Sequence, residues 1–338
     1  MGEPSLIHFD QQVAGHNELM KLPTNDLILI KPVKRKELVF YENVHSFPDF
    51  LDLIPECYGT IRAVTESDVQ ILNNNASLEM DNIITDKTED QNLCLENLLN
   101  GFSRPCILDL KMGTLLYDQD ATEEKRNKMI RKANATTSGS LGLKISGLKI
   151  YDTVVHKYAK YPKTFCSSRT PDTILDALLA FLYPNSDYGA RTEEYKQYEN
   201  EDEIDGIRER LPLKYTRWVI ESFIDTIKEI RHFIKEHPQL RLIGSSILMV
   251  YEGDRAAADK TWRFMLDDDN KQGQGEKMEA EPEEADEELD PKMCELRLID
   301  FAHSDWEAER EQQDPGLMKG YDTIIDLLEK CLTINPYK

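Results

Sequence analysis

The chain has 338 residues, 40% hydrophobic and 31% charged, with 63 acidic against 41 basic side chains and a net charge of -22. This composition is typical of a globular protein that can bury its own core, and the acidity argues against direct binding of nucleic acid. No apolar run approaches the roughly 20 residues of a membrane-spanning helix, so we expect no stable membrane insertion. The six cysteines are scattered without a C-x-x-C pair, which predicts reduced thiols and no zinc site.

The first hundred residues predict a sheet-rich N-terminal lobe, which we place at residues 1–98. Short apolar runs bounded by polar or basic turns are typical of strands, and the apolar spacing in residues 46–54 favours a short helix. Strands are predicted at residues 27–33 (LILIKPV), 37–41 (ELVFY), 58–64 and 93–95.

The remaining residues, 99–338, predict a C-terminal lobe of mixed helices and strands. One strand ends at Asp109, and Thr170 with Pro171 is a typical helix start. Residues 121–134 carry acids first and bases later, as the helix dipole favours. Further helices are predicted at 214–236 and 321–332, and further strands at 242–251 and 295–301.

The charge is distributed unevenly along the chain. Residues 267–290 hold 12 acidic and 2 basic side chains and no aromatic one, which predicts a disordered acidic insertion. Residues 125–163 hold ten basic side chains and one acidic one. Lysines from several elements are typical of a site for a compact, multiply charged anion. The net charge of the whole chain therefore says little about the ligand of this basic segment.

Three short features indicate phosphoryl transfer, although the Walker G-x-x-x-x-G-K-[ST] loop and the H-R-D and D-F-G motifs are absent. Lys31 interrupts an apolar strand, so it either has an anionic partner or reaches solvent from an edge strand. Asp109 and Lys111 share one face of a strand that ends near Gly113, where a structural salt bridge is the alternative. Asp300 is flanked by apolar residues, and a metal is one candidate partner.

Residues 105–113, PCILDLKMG, carry the P-x-x-x-D-x-K-x-G pattern and resemble the signature of the inositol polyphosphate kinases. Three more segments resemble that family in the same order, namely 13–16 (VAGH), 246–248 (SIL) and 299–301 (IDF). The resemblance implies an α/β (α+β) fold with two lobes, protein-kinase-like and related to ATP-grasp. It also implies a kinase that uses ATP and Mg2+ and binds inositol polyphosphates.

The resemblance implies a nucleotide site between the lobes. Lys31 would contact the phosphates of ATP, and main-chain atoms of Glu96 and Leu98 would bind adenine. Asp109 would bind the ribose. Each of these assignments follows from a matched position in the family pattern and is an expectation for this chain.

The resemblance also implies the catalytic and acceptor sites. Lys111 would lie between the transferring phosphate and the inositol hydroxyl, Asp300 would hold Mg2+, and Ser246 would support that metal site. The inositol phosphate would bind in the segment at about 115–163. Its expected ligands are Lys111, Lys125, Lys128, Lys132, Lys149 and His303.

Within the family, residues 116–118 (LYD) and 136–142 (TTSGSLG) resemble the fungal multikinases, whereas residues 109–114 (DLKMGT) resemble the hexakisphosphate kinases. The first resemblance implies phosphorylation of inositol 1,4,5-trisphosphate and tetrakisphosphate, at the 3- and 6-hydroxyls, towards the pentakisphosphate. A hexakisphosphate kinase that makes pyrophosphates is one alternative, and an acidic scaffold in a transcription complex is another. We expect a monomer in the nucleus and cytoplasm, whose acidic tract could contact transcription-complex proteins.

Overall fold

The computed structural model places the N-terminal strands in one five-stranded antiparallel sheet. The structure describes residues 6–15, 18–62, 91–153, 156–184, 210–273 and 291–334. The first strands are β1 (Ile7–His8), β2 (Met20–Leu22), β3 (Asn25–Pro32), β4 (Cys57–Arg62) and β5 (Gln91–Glu96). Their order in the sheet is β1-β2-β3-β5-β4. The strands predicted at 27–33 and 93–95 are confirmed as β3 and β5. Strand β4 confirms the described part, residues 58–62, of the strand predicted at 58–64.

A second five-stranded sheet lies in the C-terminal part of the chain. The later strands are β6 (Pro105–Met112), β7 (Leu143–Asp152), β8 (Lys157–Lys160), β9 (Leu240–Arg241), β10 (Ser246–Glu252), β11 (Cys294–Ile299) and β12 (Asp305–Trp306). The order of the sheet is β11-β10-β6-β7-β8, and β9 pairs with β12. The central position of β6 gives its side chains neighbours from both β7 and β10. The domain boundary predicted at residue 98 lies between β5 and β6 and stays a prediction.

Helices cover these sheets and connect them. They are α1 (Arg35–Val44), α2 (Pro48–Leu51), α3 (Glu123–Asn134), α4 (Thr137–Leu141), α5 (Lys163–Ser167), α6 (Ile174–Leu182), α7 (Leu213–Glu236), α8 (Arg255–Gly273) and α9 (Pro315–Thr333). At the start of α9, the Asp314 carboxylate accepts the N–H of Leu317 at 2.8 Å, which satisfies a helix-end donor. None of the helices in the described residues is long and apolar enough to cross a membrane.

The strand predicted at residues 37–41 is wrong, because these residues lie in helix α1. A run such as Leu-Val-Phe-Tyr suits a buried strand or a helix equally well. The helical spacing becomes visible only with the flanking residues, since the buried positions of α1 are Glu37, Phe40, Tyr41 and Val44. The strand prediction therefore missed that the carboxylate of Glu37 is buried.

Two other helix boundaries differ from those expected. Helix α6 begins at Ile174, because residues 171–173 form a turn after Thr170 rather than the first helical residues. Helix α8 runs to Gly273, so residues 267–273 are helical and the predicted disordered insertion cannot begin at 267. Residues 274–290 of that prediction lie outside the described residues.

An aromatic cluster joins helix α1 to the C-terminal part of the chain. Phe40 stacks on Phe301 with ring centroids 4.3 Å apart. Phe47, which follows α1, stacks on Trp306 of β12 at 4.0 Å. Phe40 and Phe301 are fully buried, so the cluster fixes α1 against the segment that follows β11.

Candidate active site

Lys31 of β3 forms a buried ion-pair cluster with two carboxylates. Its Nζ lies 2.7 Å from Glu37 Oε1 and 2.8 Å from Asp300 Oδ1. Burial alone would lower the pKa of Lys31, but the two negative charges outweigh it and the pKa is raised. The structure therefore supports the anionic-partner interpretation of Lys31 and brings it together with the predicted metal ligand Asp300.

Glu37 is a site residue that the sequence did not reveal. It is 1% exposed, and its Oε1 accepts both Lys31 Nζ and the main-chain N–H of Phe301, the latter at 3.2 Å. One carboxylate thus fixes the lysine of β3 and the residue next to Asp300. Its helical spacing from the apolar residues Phe40, Tyr41 and Val44 is the sequence feature that could have predicted a buried acid.

Asp109 lies on the central strand β6, buried to 4% exposure. Burial and the nearby negative charge of Asp300 raise the pKa of the Asp109 carboxyl to about 7. Its Oδ1 and the Oγ of Ser246 are both buried and have no hydrogen bond of normal geometry among the described residues. Ser246 is nevertheless close enough to lower the pKa of Asp109, against the larger effects of burial and Asp300. Buried polar atoms are normally paired, so these two oxygens on neighbouring strands can still take up a polar or charged ligand.

Strand register brings Lys111 and Asp300 to the same end of the second sheet. Ser246 of β10 is opposite Lys111 of β6 on one side and Ile299 of β11 on the other, and Asp300 follows Ile299. The Lys111 Nζ donates to the carbonyl oxygen of Gly244. Asp300 has a φ of 65°, in the left-handed region that a non-glycine residue rarely adopts. Such strained backbone is typical of a functional position.

A cluster of lysines lies beside Lys111. Lys144 of β7 is directly opposite Lys111 in the ladder, and Lys132 of α3 is close enough to influence it. Burial lowers the pKa of Lys144, and the positive charges of Lys132 and Lys111 lower it further. No carboxylate in the described residues forms an ion pair with Lys144. The structure thus brings together two predicted ligands, Lys111 and Lys132, and adds Lys144.

The other predicted basic ligands lie in different places. Lys125 and Lys128 are exposed on α3, the helix of Lys132. Lys149 lies opposite Ile107, near the other end of the β6–β7 ladder from Lys111. Its Nζ donates to the Gln11 side chain and lies 4.1 Å from the Tyr158 ring centroid. The structure does not bring Lys149 together with Lys111.

Glu96 and Leu98 mark the passage between the two sheets. Glu96 ends β5, donates its N–H to the Glu56 carbonyl at 2.9 Å and accepts the Glu56 N–H on its carboxylate at 3.3 Å. Leu98 is buried just beyond it. The main-chain N–H of Glu96 is thus occupied within the protein, and the adenine contacts of both residues stay a prediction.

His303 belongs to a network of ionisable side chains contributed by separate parts of the chain. Its Nδ1 lies 2.5 Å from Asp118 Oδ2, and Lys36 of α1 lies 2.9 Å from both Asp118 and Asp305. Arg241 of β9 pairs with Asp305 through its Nε at 2.7 Å. The sequence predicted a site role for His303 but not for Lys36, Asp118 or Asp305.

The segment at 13–16 is described only as far as Gly15, and His16 lies outside the described residues. Val13 passes directly over β7, because a Cβ added to Gly147 would lie 2.6 Å from the Val13 carbonyl oxygen. Glycine is the residue that permits this close approach.

Comparison with known proteins identifies the family. Residues 92–329 match the family described as inositol polyphosphate kinase, which is well over half of the chain. The chain belongs to the inositol polyphosphate kinase family. This membership confirms the predicted enzyme class, a kinase that phosphorylates inositol phosphates. The matched range contains the strand of Asp109 and Lys111, the lysine cluster and Asp300.

Relatives of this kinase include two fungal proteins similar along most of its length. The inositol polyphosphate multikinase of Saccharomyces cerevisiae is 28% identical over 95% of this chain and 97% of its own. That of Schizosaccharomyces pombe is 27% identical over 88% of each chain. The inositol hexakisphosphate kinase 3 of Mus musculus is 26% identical over 70% of this chain and 50% of its own. The predicted similarity to fungal multikinases is confirmed.

A solved structure confirms the predicted fold. The inositol phosphate multikinase of S. cerevisiae, crystallised with ADP and Mn2+, has a TM-score of 0.60 and 26% identity to this kinase. The match covers 90% of this chain and 99% of that one. The α/β fold with its two five-stranded sheets therefore corresponds to the kinase-like architecture that the sequence resemblance implied.

Proposed function

We propose that this kinase transfers the γ-phosphate of ATP to inositol 1,4,5-trisphosphate and tetrakisphosphate, at the 3- and 6-hydroxyls, towards the pentakisphosphate. The observation that carries the proposal is the lysine cluster of Lys111, Lys132 and Lys144 at the end of the sheet where Asp300 lies. The three lysines together outweigh the neighbouring carboxylate of Asp109, and such an excess of positive charge suits a small, phosphate-rich acceptor. Lys125, Lys128 and His303 would extend this site on its exposed side.

The residues present fit a nucleotide and a divalent cation. The described residues contain no group of three or more His, Cys, Asp or Glu side chains that could hold a metal by themselves. Mg2+ usually binds one or two carboxylates and completes its shell with water and phosphate oxygens. Asp300 would hold the cation with support from Ser246, and Asp109 Oδ1 would accept a ribose hydroxyl. When bound, the cation would neutralise charge on the phosphates.

The chemistry proposed is an in-line displacement at the γ-phosphorus. The inositol oxygen forms a bond to phosphorus, the bond to the bridging oxygen breaks, ADP leaves, and the hydroxyl proton passes to a base or to water. Lys111 would stabilise the charge on the transferring group, and Lys31, fixed by Glu37, would face the ATP phosphates. The protein contributes mainly orientation and fixed charge.

The multikinase assignment rests on how the similarity is distributed. Two fungal multikinases match 95% and 88% of this chain, whereas hexakisphosphate kinase 3 matches 70% of it and half of its own length. The second candidate, a hexakisphosphate kinase, is favoured by residues 109–114, DLKMGT. Both candidates share the site described above, and they differ in the acceptor.

One experiment separates the candidates. The purified protein is incubated with Mg-ATP and either inositol 1,4,5-trisphosphate or inositol hexakisphosphate, and the products are resolved by anion-exchange chromatography. We expect successive conversion of the trisphosphate to the pentakisphosphate, with Lys111→Ala as the inactive control. Exclusive conversion of the hexakisphosphate to a pyrophosphate would establish the second candidate.

We also propose a monomer located in the nucleus and cytoplasm, with the acidic tract at residues 267–290 as a contact for transcription-complex proteins. The support for the protein contact is the acidity of that tract. Light scattering after gel filtration tests the oligomeric state, and fluorescence microscopy of the tagged protein tests the location. Recovery of the same protein partners after deletion of the tract would contradict the proposed contact.

A further inference from the structure

The Asp118–His303 pair defines which ring nitrogen of His303 carries the proton. Burial alone would raise the pKa of Asp118, but the hydrogen bond and charge of Lys36 and the hydrogen bond from His303 oppose it, and the pKa is lowered. The carboxylate is therefore ionised near neutral pH and can only accept hydrogen bonds. Since Asp118 Oδ2 lies 2.5 Å from His303 Nδ1, that nitrogen must be the donor. In the neutral ring, Nε2 is then the acceptor.

Lys36 holds Asp118 in the position that this pairing needs. Its Nζ lies 2.9 Å from Asp118 Oδ1, the oxygen that His303 does not use, and 2.9 Å from Asp305 Oδ2. Asp305 is held in turn by Arg241. The Asp118 side chain is only 17% exposed, whereas His303 is 40% exposed. A fixed carboxylate therefore supports an imidazole that remains accessible to a ligand.

We propose that Asp118 is a positioning residue that holds His303 as the Nδ1–H tautomer, so that Nε2 is the atom that meets the acceptor hydroxyl. This inference rests on the proposed function, in which His303 contacts the inositol phosphate. Asp118 comes from the segment after β6 and His303 from the segment after β11, so two separate parts of the chain build the pair.

The tautomer determines what His303 can do in the transfer. As the inositol oxygen bonds to the γ-phosphorus and the bond to the ADP oxygen breaks, the hydroxyl proton needs an acceptor. The lone pair of Nε2 accepts it, and the resulting imidazolium remains stabilised by the Asp118 carboxylate before it releases the proton to water. The opposite tautomer would place N–H at Nε2 and could not accept the proton.

The test combines a spectroscopic and a kinetic measurement on the full chain. ¹⁵N-histidine spectra report the ring tautomer, and the His303→Ala spectrum identifies the His303 signals among the seven histidines. We expect an Nδ1–H neutral ring in the wild type and a mixture in Asp118→Ala. Asp120→Asn, an exposed acid two residues away, is the matched control and should leave the spectrum unchanged.

In the kinetic measurement, Asp118→Ala should lower kcat about 10–100-fold and leave the KM for ATP nearly unchanged. The expected loss in kcat is a part of the rate enhancement of ~100-fold or more that a general base contributes. In a His303→Ala background the same substitution should have little further effect, because Asp118 acts through His303. If Asp118→Ala does not fold, Asp118→Asn serves, because Lys36 and His303 use different oxygens of Asp118 and asparagine replaces one of them with an NH2 donor.

Additive effects of the two substitutions, or an unchanged tautomer in the Asp118 variant, would overturn the inference. So would a loss confined to the KM for ATP. Failure of the wild-type protein to phosphorylate any inositol phosphate would instead overturn the proposed function. The two failures are therefore distinguishable in one set of assays.

Discussion

Lys36 and Glu37 are consecutive residues of α1, yet their charged groups contact different clusters of predicted site residues. Glu37 holds Lys31 and the N–H of Phe301, on the side of the predicted nucleotide phosphates. Lys36 holds Asp118 and Asp305, on the side of His303. One turn of α1 therefore positions both Lys31, a predicted contact of the ATP phosphates, and the Asp118–His303 pair. Phe40 fixes that helix by stacking on Phe301.

We predict that Glu37→Gln destabilises the protein and weakens ATP binding. The amide can still accept one hydrogen bond, and Asp300 still pairs with Lys31, so the free energy of unfolding should fall by about 1.5–3 kcal/mol, the usual range for a hydrogen bond to a charged group. Urea unfolding and the KM for ATP measure the two effects. Glu42→Gln, at an exposed position of α1, is the control. Equal stability of the two variants would contradict the role of Glu37.

Lys111→Ala and Asp300→Asn should each lower kcat by about 100–1000-fold, the usual effect of removing one electrostatic group from a transition state. The fold should survive Asp300→Asn, because asparagine tolerates the left-handed φ of 65° at this position. Steady-state kinetics and circular dichroism measure activity and folding, with the exposed Asp326→Asn as the control. Near-normal turnover in either variant would refute the assignment.

Replacing Lys125, Lys128 and Lys132 together by alanine should raise the KM for the inositol phosphate by about 10–100-fold. Three screened charge contacts at about 0.5–1 kcal/mol each account for that range. The KM for ATP should change little, since its predicted contacts lie elsewhere. A control triple variant carries alanine at the exposed Lys157, Lys163 and Lys235. A dominant effect on the KM for ATP would show that α3 belongs to the nucleotide site.

Local motifs singled out Asp109, Lys111 and Asp300 as candidates, because each lies in a short pattern, and their roles stay predictions. The register in which the strands pair could not be predicted from the sequence. A register shift between Asp109 and Leu110 places Lys144 opposite Lys111 and Lys149 opposite Ile107. Two lysines five residues apart on one strand therefore lie at different ends of the ladder, and counting basic residues could not tell them apart.

Tertiary contacts explain the other residues that the sequence did not reveal. Glu37 lay inside a run interpreted as a strand, and its partners Lys31 and Phe301 are 6 and 264 residues away. Asp118 was noticed only as part of a family pattern, since nothing local indicates that it meets His303, 185 residues later. Ion pairs between distant segments depend on how the lobes pack, which single-sequence patterns do not encode.

Asp305→Asn should destabilise the protein in a pH-dependent way. Burial alone would raise the pKa of Asp305, but hydrogen bonds from Arg241 and Lys36 outweigh it and the pKa is lowered. A lowered pKa in the folded state means that the stabilisation is present above the unfolded pKa of about 3.9 and is lost as the pH falls through the folded value. Urea midpoints of wild type and variant should differ equally at about pH 7 and 5 and converge below about pH 4. A gap that stays constant into acid, or one also seen with Asp120→Asn, would contradict this.

Gly320→Ala should destabilise the protein through the packing of α9 against the strand that carries Lys111. A Cβ added at Gly320 would lie 2.2 Å from the Gly142 carbonyl oxygen and 3.2 Å from Met112 Cε. Alanine is about 1 kcal/mol better than glycine inside a helix, so without this clash the substitution would stabilise α9. Overpacking against backbone typically costs about 1–3 kcal/mol, and we expect it to outweigh the helix propensity. Urea unfolding measures the sign, with the exposed Asp326→Ala of the same helix as the control. An increase in the free energy of unfolding for Gly320→Ala would mean that α9 can move away from Gly142 at little cost.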